Sequence, residues 1–289
     1  MKKNIVKVAS LALATIGAVS FASCSTNKLL VGKEYVVAET QLSALMNLDN
    51  GTADVAVIDS VMAGYYTSTG DYADKMQIVD GLVFAEEQYG IAAKKGNDAL
   101  ISKVNDALIA IRESAYASII EEYNLASSIA LTAETTNPNA EATDNSWNNL
   151  VEDGTLVIGY TVFAPIAYEE NGALTGFDIE LANAVVDYWN DTYNTNITIE
   201  FQIINWSAKE TLLENGSIDL VWNGMTITPD RAEQMCVSVP YLLNKQVAVV
   251  LKEDASKYNS NKMSMAQAIM TAEAGSAGET VIIGEQDAE

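Results

Sequence analysis

The sequence predicts an α/β fold of two lobes that face a shared cleft. Two stretches repeat one pattern, LSALMNLDNGTADVAVID over residues 42–59 and AKETLLENGSIDLVWN over residues 208–223. Each begins as a short helical pattern, stops at Asn-Gly, where glycine tolerates the left-handed backbone, and continues as an apolar run typical of a buried parallel strand. Two copies predict one helix–strand unit in each lobe. Chance use of a common αβ turn is the alternative.

Each of these predicted strands ends at a polar residue. Residues 55–58 lead into Asp59, and residues 220–222 lead into Asn223 and Gly224. Because ligands of open α/β sheets bind at the carboxyl ends of strands, we expect the site there. Two further apolar runs, residues 88–95 and 246–252, both end in Lys and predict two strands that lead into and out of a hinge between the lobes.

The amino-terminal residues have the pattern of a secretory leader. Three lysines precede a nearly uncharged run over residues 8–21, and Ala22-Ser23-Cys24 follows it. The run is too short for a comfortable membrane span. The ending Phe21-Ala22-Ser23-Cys24 resembles a lipobox, although Phe stands where Leu is usual. We therefore expect a signal peptide over residues 1–23, acylation of Cys24 and a tether over residues 24–30; plain secretion with a stray Cys is the alternative.

Composition excludes several classes of function. The net charge is −23 and the pI is about 4.1, so a nucleic-acid partner is not expected, because binding phosphate needs a basic face. The absence of His from the chain removes Ser-His-Asp and Cys-His catalysis and His-based zinc sites. Of the two Cys, Cys24 lies at the leader junction and Cys236 stands alone, which leaves no disulfide framework and no paired-Cys metal site. We expect no metal and no cofactor.

The middle of the chain predicts helices, a linker and a new αβ unit. Apolar residues recur at three- and four-residue spacing over residues 97–125, which predicts helix. Residues 126–145 are rich in Ala, Thr, Ser and Asn and predict a flexible linker with a reach of roughly 25 Å. A strand over residues 156–159 and a helix over residues 179–189 follow.

Three ordered motifs after the linker carry a family resemblance. They are G-x-L-x-G-F-D-I-E-L-A over residues 172–182, the N-G-x-I-D entry to a strand, and G-M-T-I-T-P-D-R-A-E over residues 224–233. This region resembles the first lobe of family 3 extracellular solute-binding proteins, the polar amino-acid receptors of ABC importers. The resemblance implies a two-lobed, periplasmic-binding-protein-like (type II) fold.

The order of the matching segments is unusual for that family. Residues 31–125 resemble its later part, and residues 265–289 resemble the start of its second lobe. The resemblance therefore implies a circularly permuted chain; a rearranged gene, with its first piece borrowed from a neighbouring copy, is the alternative. The implied parts are the second part of lobe 2 (31–85), a hinge strand and closing helices of lobe 1 (86–125), the linker (126–145), the main part of lobe 1 (146–252) and the first part of lobe 2 (253–289).

A free amino acid carries a carboxylate and an ammonium, so its receptor needs a fixed cation and a fixed anion. Arg231 matches the carboxylate-binding Arg of the family, and its guanidinium can fork onto two oxygens. Thr226 would add a hydroxyl and an N–H, and Gly224 a carbonyl for the ammonium. Asp59 matches the ammonium-binding Asp. The alternatives are a first-turn surface Arg and an Asp that caps the helix after residue 59.

The resemblance assigns five further residues. Ser276 and Ala277 match the carboxylate contacts of the second lobe, Ala277 through its backbone alone. Phe163 and Trp206 match the side-chain wall, although either could belong to the core. Tyr160 stands where receptors for basic amino acids often have an acid, which weighs against Lys, Arg or His as ligand. Asp178 and Glu180 are expected to cap or brace the helix that contains them.

These observations give one expected function and two rivals. We expect a monomeric, non-enzymatic binding protein, lipid-anchored at the extracellular face of the cell membrane. It would capture a free amino acid between its lobes and deliver it to an ABC transporter permease. A sensor that binds the amino acid without transport is one rival. A dehydratase on the same scaffold is the other, and Glu169 and Glu170 would be its candidate acids.

Overall fold

Nine strands form one mixed sheet that runs through the described part of the molecule. The computed structural model describes residues 29–69 and 72–284 of the 289-residue chain. The predicted leader and Cys24 lie outside the described residues. The strands of the sheet are β1 (Glu34–Ala38), β2 (Val55–Asp59), β3 (Met76–Lys94), β4 (Thr155–Tyr160), β7 (Thr198–Ile203), β8 (Leu220–Thr226), β9 (Met235–Val237), β10 (Leu242–Leu251) and β11 (Ile269–Glu273), while β5 (Tyr168–Glu170) and β6 (Ala173–Thr175) form a separate hairpin.

Helices pack against this sheet. They are α1 (Gln41–Asp49), α2 (Ser60–Ser68), α3 (Asp98–Ala110), α4 (Ala117–Glu122), α5 (Ser146–Asp153), α6 (Phe177–Tyr193), α7 (Lys209–Glu214), α8 (Pro229–Gln234) and α9 (Ala277–Ile283). A π-helical turn over Arg112–Tyr116 joins α3 to α4, so the helix predicted over residues 97–125 is present in three pieces. Within the described ranges, no helix combines the length and the apolar character that a membrane crossing requires.

The order of the strands divides the sheet into two lobes around a central antiparallel pair. That order is β1-β11-β2-β10-β3-β8-β4-β7, with β9 beside β3. Strands β1, β11 and β2 are mutually parallel and belong to lobe 2; β8, β4 and β7 are parallel and belong to lobe 1. Between them β10 and β3 pair along their length, from Leu242 opposite Tyr89 to Leu251 opposite Met76. The two runs predicted to be hinge strands, residues 88–95 and 246–252, lie mostly within this pair.

Lobe 2 is built from both ends of the described chain. Strand β11, close to the carboxyl end, lies between β1 and β2, which are close to the amino end. Glu34 of β1 pairs with Ile269 of β11, and Val55 of β2 pairs with Met270. A two-lobed α/β fold is therefore confirmed, and the strands of lobe 2 combine segments that are more than 200 residues apart in sequence.

Burial on both faces explains the uninterrupted apolar run of β2. All of its residues are buried. Val55 and Val57 face one apolar cluster of lobe 2, and Ala56 and Ile58 face another, because successive side chains of a strand point to opposite sides. Lobe 1 has its own larger core, in which α6 packs with β8, with Tyr89 of β3 and with Tyr241, which directly precedes β10.

The segment predicted to be a flexible linker is held against α3 by specific contacts. The Asn137 amide donates to the carbonyl and hydroxyl of Ser102 and to a carboxylate oxygen of Asp106, at 3.0, 3.0 and 2.8 Å. Asp144 accepts a bond from the N–H of Ala99 at 2.7 Å, which satisfies a donor in the first turn of α3. Apart from a short 3-10 turn at Ala126–Ser128, the segment contains no helix or strand, yet these contacts anchor it.

Replacing Asn137 tests this anchoring. We expect Asn137→Ala to lower the free energy of unfolding by about 1–3 kcal/mol, because it leaves groups on α3 without their donor. It should also speed proteolytic cleavage between residues 126 and 145. Exposed Thr143→Ala is the matched control in the same segment. Denaturant unfolding and limited proteolysis measure both effects, and equal behaviour of the two variants would contradict the anchoring.

Candidate functional site

A small cavity lies between the lobes, at the carboxyl ends of β2, β8 and β11. Its volume is about 20 Å³, room for about one water molecule, so the lobes are closed around it. Its lining comes from both lobes and includes eight of the nine predicted site residues, which are Asp59, Phe163, Trp206, Gly224, Thr226, Arg231, Ser276 and Ala277. The other lining residues are Gln41, Thr161, Asn223 and Glu273. Two larger cavities, of about 1010 and 720 Å³, flank the hinge strands and are also lined by both lobes.

Arg231 reaches from lobe 1 to lobe 2. It lies in the first turn of α8, whose start is fixed by Pro229 and by the Thr228 hydroxyl, which accepts a bond from the Arg231 N–H. Its Nη1 donates to the Thr226 carbonyl at 2.8 Å, and its Nη2 donates across the lobe boundary to the Gly275 carbonyl at 2.9 Å. Burial lowers the pKa of Arg231, but a guanidinium keeps its charge. Arg231 is therefore not a simple surface residue.

Asp59 is a buried carboxyl at the end of β2. It accepts hydrogen bonds from the side-chain amides of Gln41, Asn244 and Gln246, the last two at 2.5 Å. Burial, followed by the negative charge of Glu87, raises the pKa of Asp59 to about 7. The capping alternative is not supported, because the Asp59 side chain makes no capping bond to α2.

Glu87 is a neighbour of Asp59 that the sequence analysis missed. It lies on β3 and accepts from Asn244, Gln246 and the Thr226 hydroxyl, at 2.9, 3.0 and 3.1 Å. The same two amides of β10 thus bridge Asp59 and Glu87. Burial raises the pKa of Glu87. Its position in the middle of a long strand carries no local signal that would have singled it out.

Glu273 and Lys209 were also missed. Glu273 is the last residue of β11 and is 3% exposed; burial, followed by the charge of Asp59, raises its pKa to about 8. Lys209 is buried, donates to the carbonyls of Trp206 and Gly275 at 3.3 Å, and pairs with Glu210 at 3.0 Å. Burial and the Arg231 charge lower the pKa of Lys209 to about 8. The rule that singled out Asp59, a polar residue at the end of an apolar strand, also applies to Glu273 at the end of β11.

Gly224 has a conformation and surroundings that require glycine. Its φ is +60°, and a Cβ there would lie 2.8 Å from the Phe163 ring and 3.0 Å from the Tyr89 ring. Its N–H donates to Asp178 at 2.7 Å, and the Tyr241 hydroxyl donates to the same oxygen at 2.8 Å. Burial raises the pKa of Asp178 to about 7. Asp178 therefore makes no capping bond to α6; it braces Gly224 instead.

The remaining predicted residues divide between the cavity and the core. Ser276 and Ala277 line the cavity, and the Ser276 hydroxyl caps α9 by accepting from the Glu279 N–H at 3.1 Å. Phe163 and Trp206, 3% and 5% exposed, serve as cavity wall and as core at once.

Tyr160 is the predicted residue that the structure does not bring to the cavity. It packs with Ala167 and Ile179 in a separate apolar cluster, with its ring 6.2 Å from that of Phe201. The reason is strand alternation, since the next residue along, Thr161, lines the cavity and accepts a bond from the Asn223 amide at 2.9 Å. The argument from Tyr160 against basic ligands therefore fails.

The raised pKa of Glu273 predicts a pH-dependent stability. Its folded pKa of about 8 exceeds the ordinary value of 4.5 for a glutamate, so its contribution to folding is present at low pH and is lost as pH rises through about 8. A glutamine cannot ionise. We therefore expect Glu273→Gln to gain stability relative to the wild-type protein between pH 5 and pH 8.5, by on the order of 1 kcal/mol or more.

Urea unfolding at the two pH values measures this difference. Glu214→Gln is the matched control, because Glu214 is exposed and water solvates its carboxylate. A difference between Glu273→Gln and the wild-type protein that stays constant with pH would contradict the buried, protonated state of Glu273.

The sequence is similar to proteins of a known family. Residues 156–275 match the bacterial extracellular solute-binding proteins, family 3. The chain is 37% identical over 91 residues to a probable histidine-binding protein of Neisseria gonorrhoeae, covering 31% of this chain and 32% of that protein. It is 31% identical over 99 residues to the arginine-binding extracellular protein ArtP of Bacillus subtilis, covering 34% and 36%.

One solved structure illustrates the extent of the match. It is a polar amino acid ABC uptake transporter substrate binding protein from Streptococcus thermophilus, 39% identical over 34% of this chain and 36% of its own, with a TM-score of 0.28. The chain spans about a third of the length of the curated relatives it matches.

Proposed function

We propose that this chain, which its residues 156–275 identify as a family 3 extracellular solute-binding protein, binds a free amino acid between its lobes and delivers it to an ABC transporter permease. The observation that carries the proposal is that Arg231 of lobe 1 and Asp59 of lobe 2 line one cavity. A fixed cation and a fixed anion at one site match the two charged groups of an amino acid.

The cavity residues suggest how the ligand would be held. Its carboxylate would bind the Arg231 guanidinium and the backbone N–H of Ala277. In the closed structure the guanidinium donates to the Gly275 carbonyl instead. Its ammonium would donate hydrogen bonds to the Asp59 carboxylate and to the Gly224 carbonyl. Phe163 and Trp206 would cover its apolar atoms.

Binding requires the lobes to separate. A cavity of about 20 Å³ is too small for any amino acid, since a water molecule alone nearly fills it. The β3–β10 pair carries the chain from one lobe to the other and is hydrogen-bonded along its length, so it is the natural hinge. Ligand that contacts both lobes would then stabilise the closed form.

The names of the relatives support an amino-acid ligand. The probable histidine-binding protein and ArtP are both named for amino acids. The family match over residues 156–275 contains Arg231 and Thr226. The rival dehydratase function lacks comparable support. Glu169 and Glu170 are exposed on the β5–β6 hairpin; neither lines the cavity of about 20 Å³ that contains Asp59 and Arg231, and Glu170 lines the cavity of about 1010 Å³ instead.

The lipid anchor, the extracellular location, the monomeric state and the permuted order belong to the same proposal. Placement of β11 between β1 and β2 supports the permuted order, because joining the family's original ends would leave the second lobe divided between the two ends of the chain. Residues 126–145 would be the segment that joins them.

Ligand binding by site variants tests the proposal. Isothermal titration of the purified protein against the twenty amino acids should identify at least one ligand. Arg231→Lys keeps the charge but loses the fork, and Asp59→Asn loses the charge. We expect each to raise the Kd roughly tenfold or more, because the first loses the bidentate geometry of a charged contact and the second loses the charge of the partner of the ammonium.

Two matched variants outside the cavity serve as controls. Arg112→Lys changes an Arg that bonds to the Thr132 carbonyl, and Asp219→Asn changes a partly buried Asp that accepts from Val157. Both should leave the Kd unchanged. The proposal is wrong if none of the amino acids binds, or if the controls weaken binding as much as the site variants do.

A further inference from the structure

Glu273 presents an unsatisfied acceptor to the cavity. It is 3% exposed and lines the cavity from lobe 2, and its Oε1 has no hydrogen-bond partner among residues 29–69 and 72–284. A buried acceptor without a donor is unfavourable, and buried polar atoms are normally paired. The position therefore calls for a donor that enters the cavity.

The other acids around the cavity already have donors. Asp59 accepts from three amides, and Glu87 accepts from two amides and a hydroxyl. Glu210 pairs with Lys209 at 3.0 Å. Among these four acids, Glu273 is therefore the one with a buried acceptor oxygen, Oε1, that no donor of the described residues reaches.

Acidic side chains outnumber basic ones in this group. Four carboxyl groups, those of Asp59, Glu87, Glu210 and Glu273, lie near Lys209 and Arg231, and burial favours the protonated form of Glu273. The carboxylate and ammonium of an amino acid cancel each other and leave this excess of acidic groups unchanged. A positive charge on the ligand side chain would offset this excess and would favour the ionised form of Glu273.

We infer that the bound amino acid has a cationic side chain and that Glu273 accepts a charged hydrogen bond from it, an inference that rests on the proposed function. Asn223 supports this assignment from the opposite lobe. It is 3% exposed, lines the same cavity and has an Oδ1 without a partner in the described part of the chain. A guanidinium or ammonium has donors enough for both oxygens.

Two matched ligand pairs test the charge directly. L-citrulline has nearly the shape of L-arginine without the charge, and L-norleucine has the length of L-lysine without the ammonium. Isothermal titration of the purified full chain should give a Kd for arginine or lysine at least roughly tenfold lower than for its neutral partner. In Glu273→Gln this preference should fall to about threefold or less, mainly through weaker binding of the cationic ligand.

The outcomes separate this inference from the proposed function. Binding of no amino acid would overturn both. Binding of citrulline, norleucine or L-glutamate as tightly as arginine and lysine would overturn the inference and leave the proposed function standing. If Glu273→Gln keeps the preference for the cationic ligand over its neutral partner, Glu273 does not accept the charged hydrogen bond. Exposed Glu214→Gln is the control variant, and the wild-type ligand pairs decide the charge question even if Glu273→Gln does not fold.

Discussion

A carboxyl group at the end of a fully buried strand is costly unless other groups compensate it, and Asp59 meets that condition only through its neighbours. Its amide donors come from α1 and from the hinge strand β10, and the two β10 amides also bond to Glu87 on β3. The candidate ligand contact and the hinge are therefore parts of one hydrogen-bond network. Movement of the hinge strands would change the surroundings of Asp59, and a cation beside Asp59 would change the stability of the network.

At the lobe boundary, cationic side chains of lobe 1 contact lobe 2. Arg231 and Lys209, both from lobe 1, donate to one carbonyl oxygen of lobe 2, that of Gly275. Two cations that meet at a single neutral oxygen repel each other, and the carboxyls nearby offset this repulsion. A ligand carboxylate would pair with Arg231 more favourably than the carbonyl does, because it is charged and accepts both arms of the guanidinium. Closure without ligand thus uses the same groups that closure with ligand would use.

Particular residues show how far the sequence predicted the site. Asp59 and Asn223 follow apolar runs, so a rule about strand ends placed them at the cleft, and ordered motifs added Arg231 and Gly224. Glu273 also ends a strand, but it was not recognised. Glu87 could not be found this way, because it lies inside a 19-residue strand and meets Asp59 only through the pairing of β3 with β10. The burial that gives these acids their raised pKa values is a property of packing and not of local pattern.

Local sequence predicts the helix–strand units, the two strands between the lobes and the local chemistry of the motifs, because periodicity and glycine conformation act over a few residues. Three features follow from the folded chain instead: β11 lies between β1 and β2, Tyr160 packs away from the cavity, and residues 126–145 are anchored to α3. Each depends on contacts between residues far apart in the chain or on the face a side chain occupies. Such contacts arise from packing the whole chain, and no short segment encodes them alone.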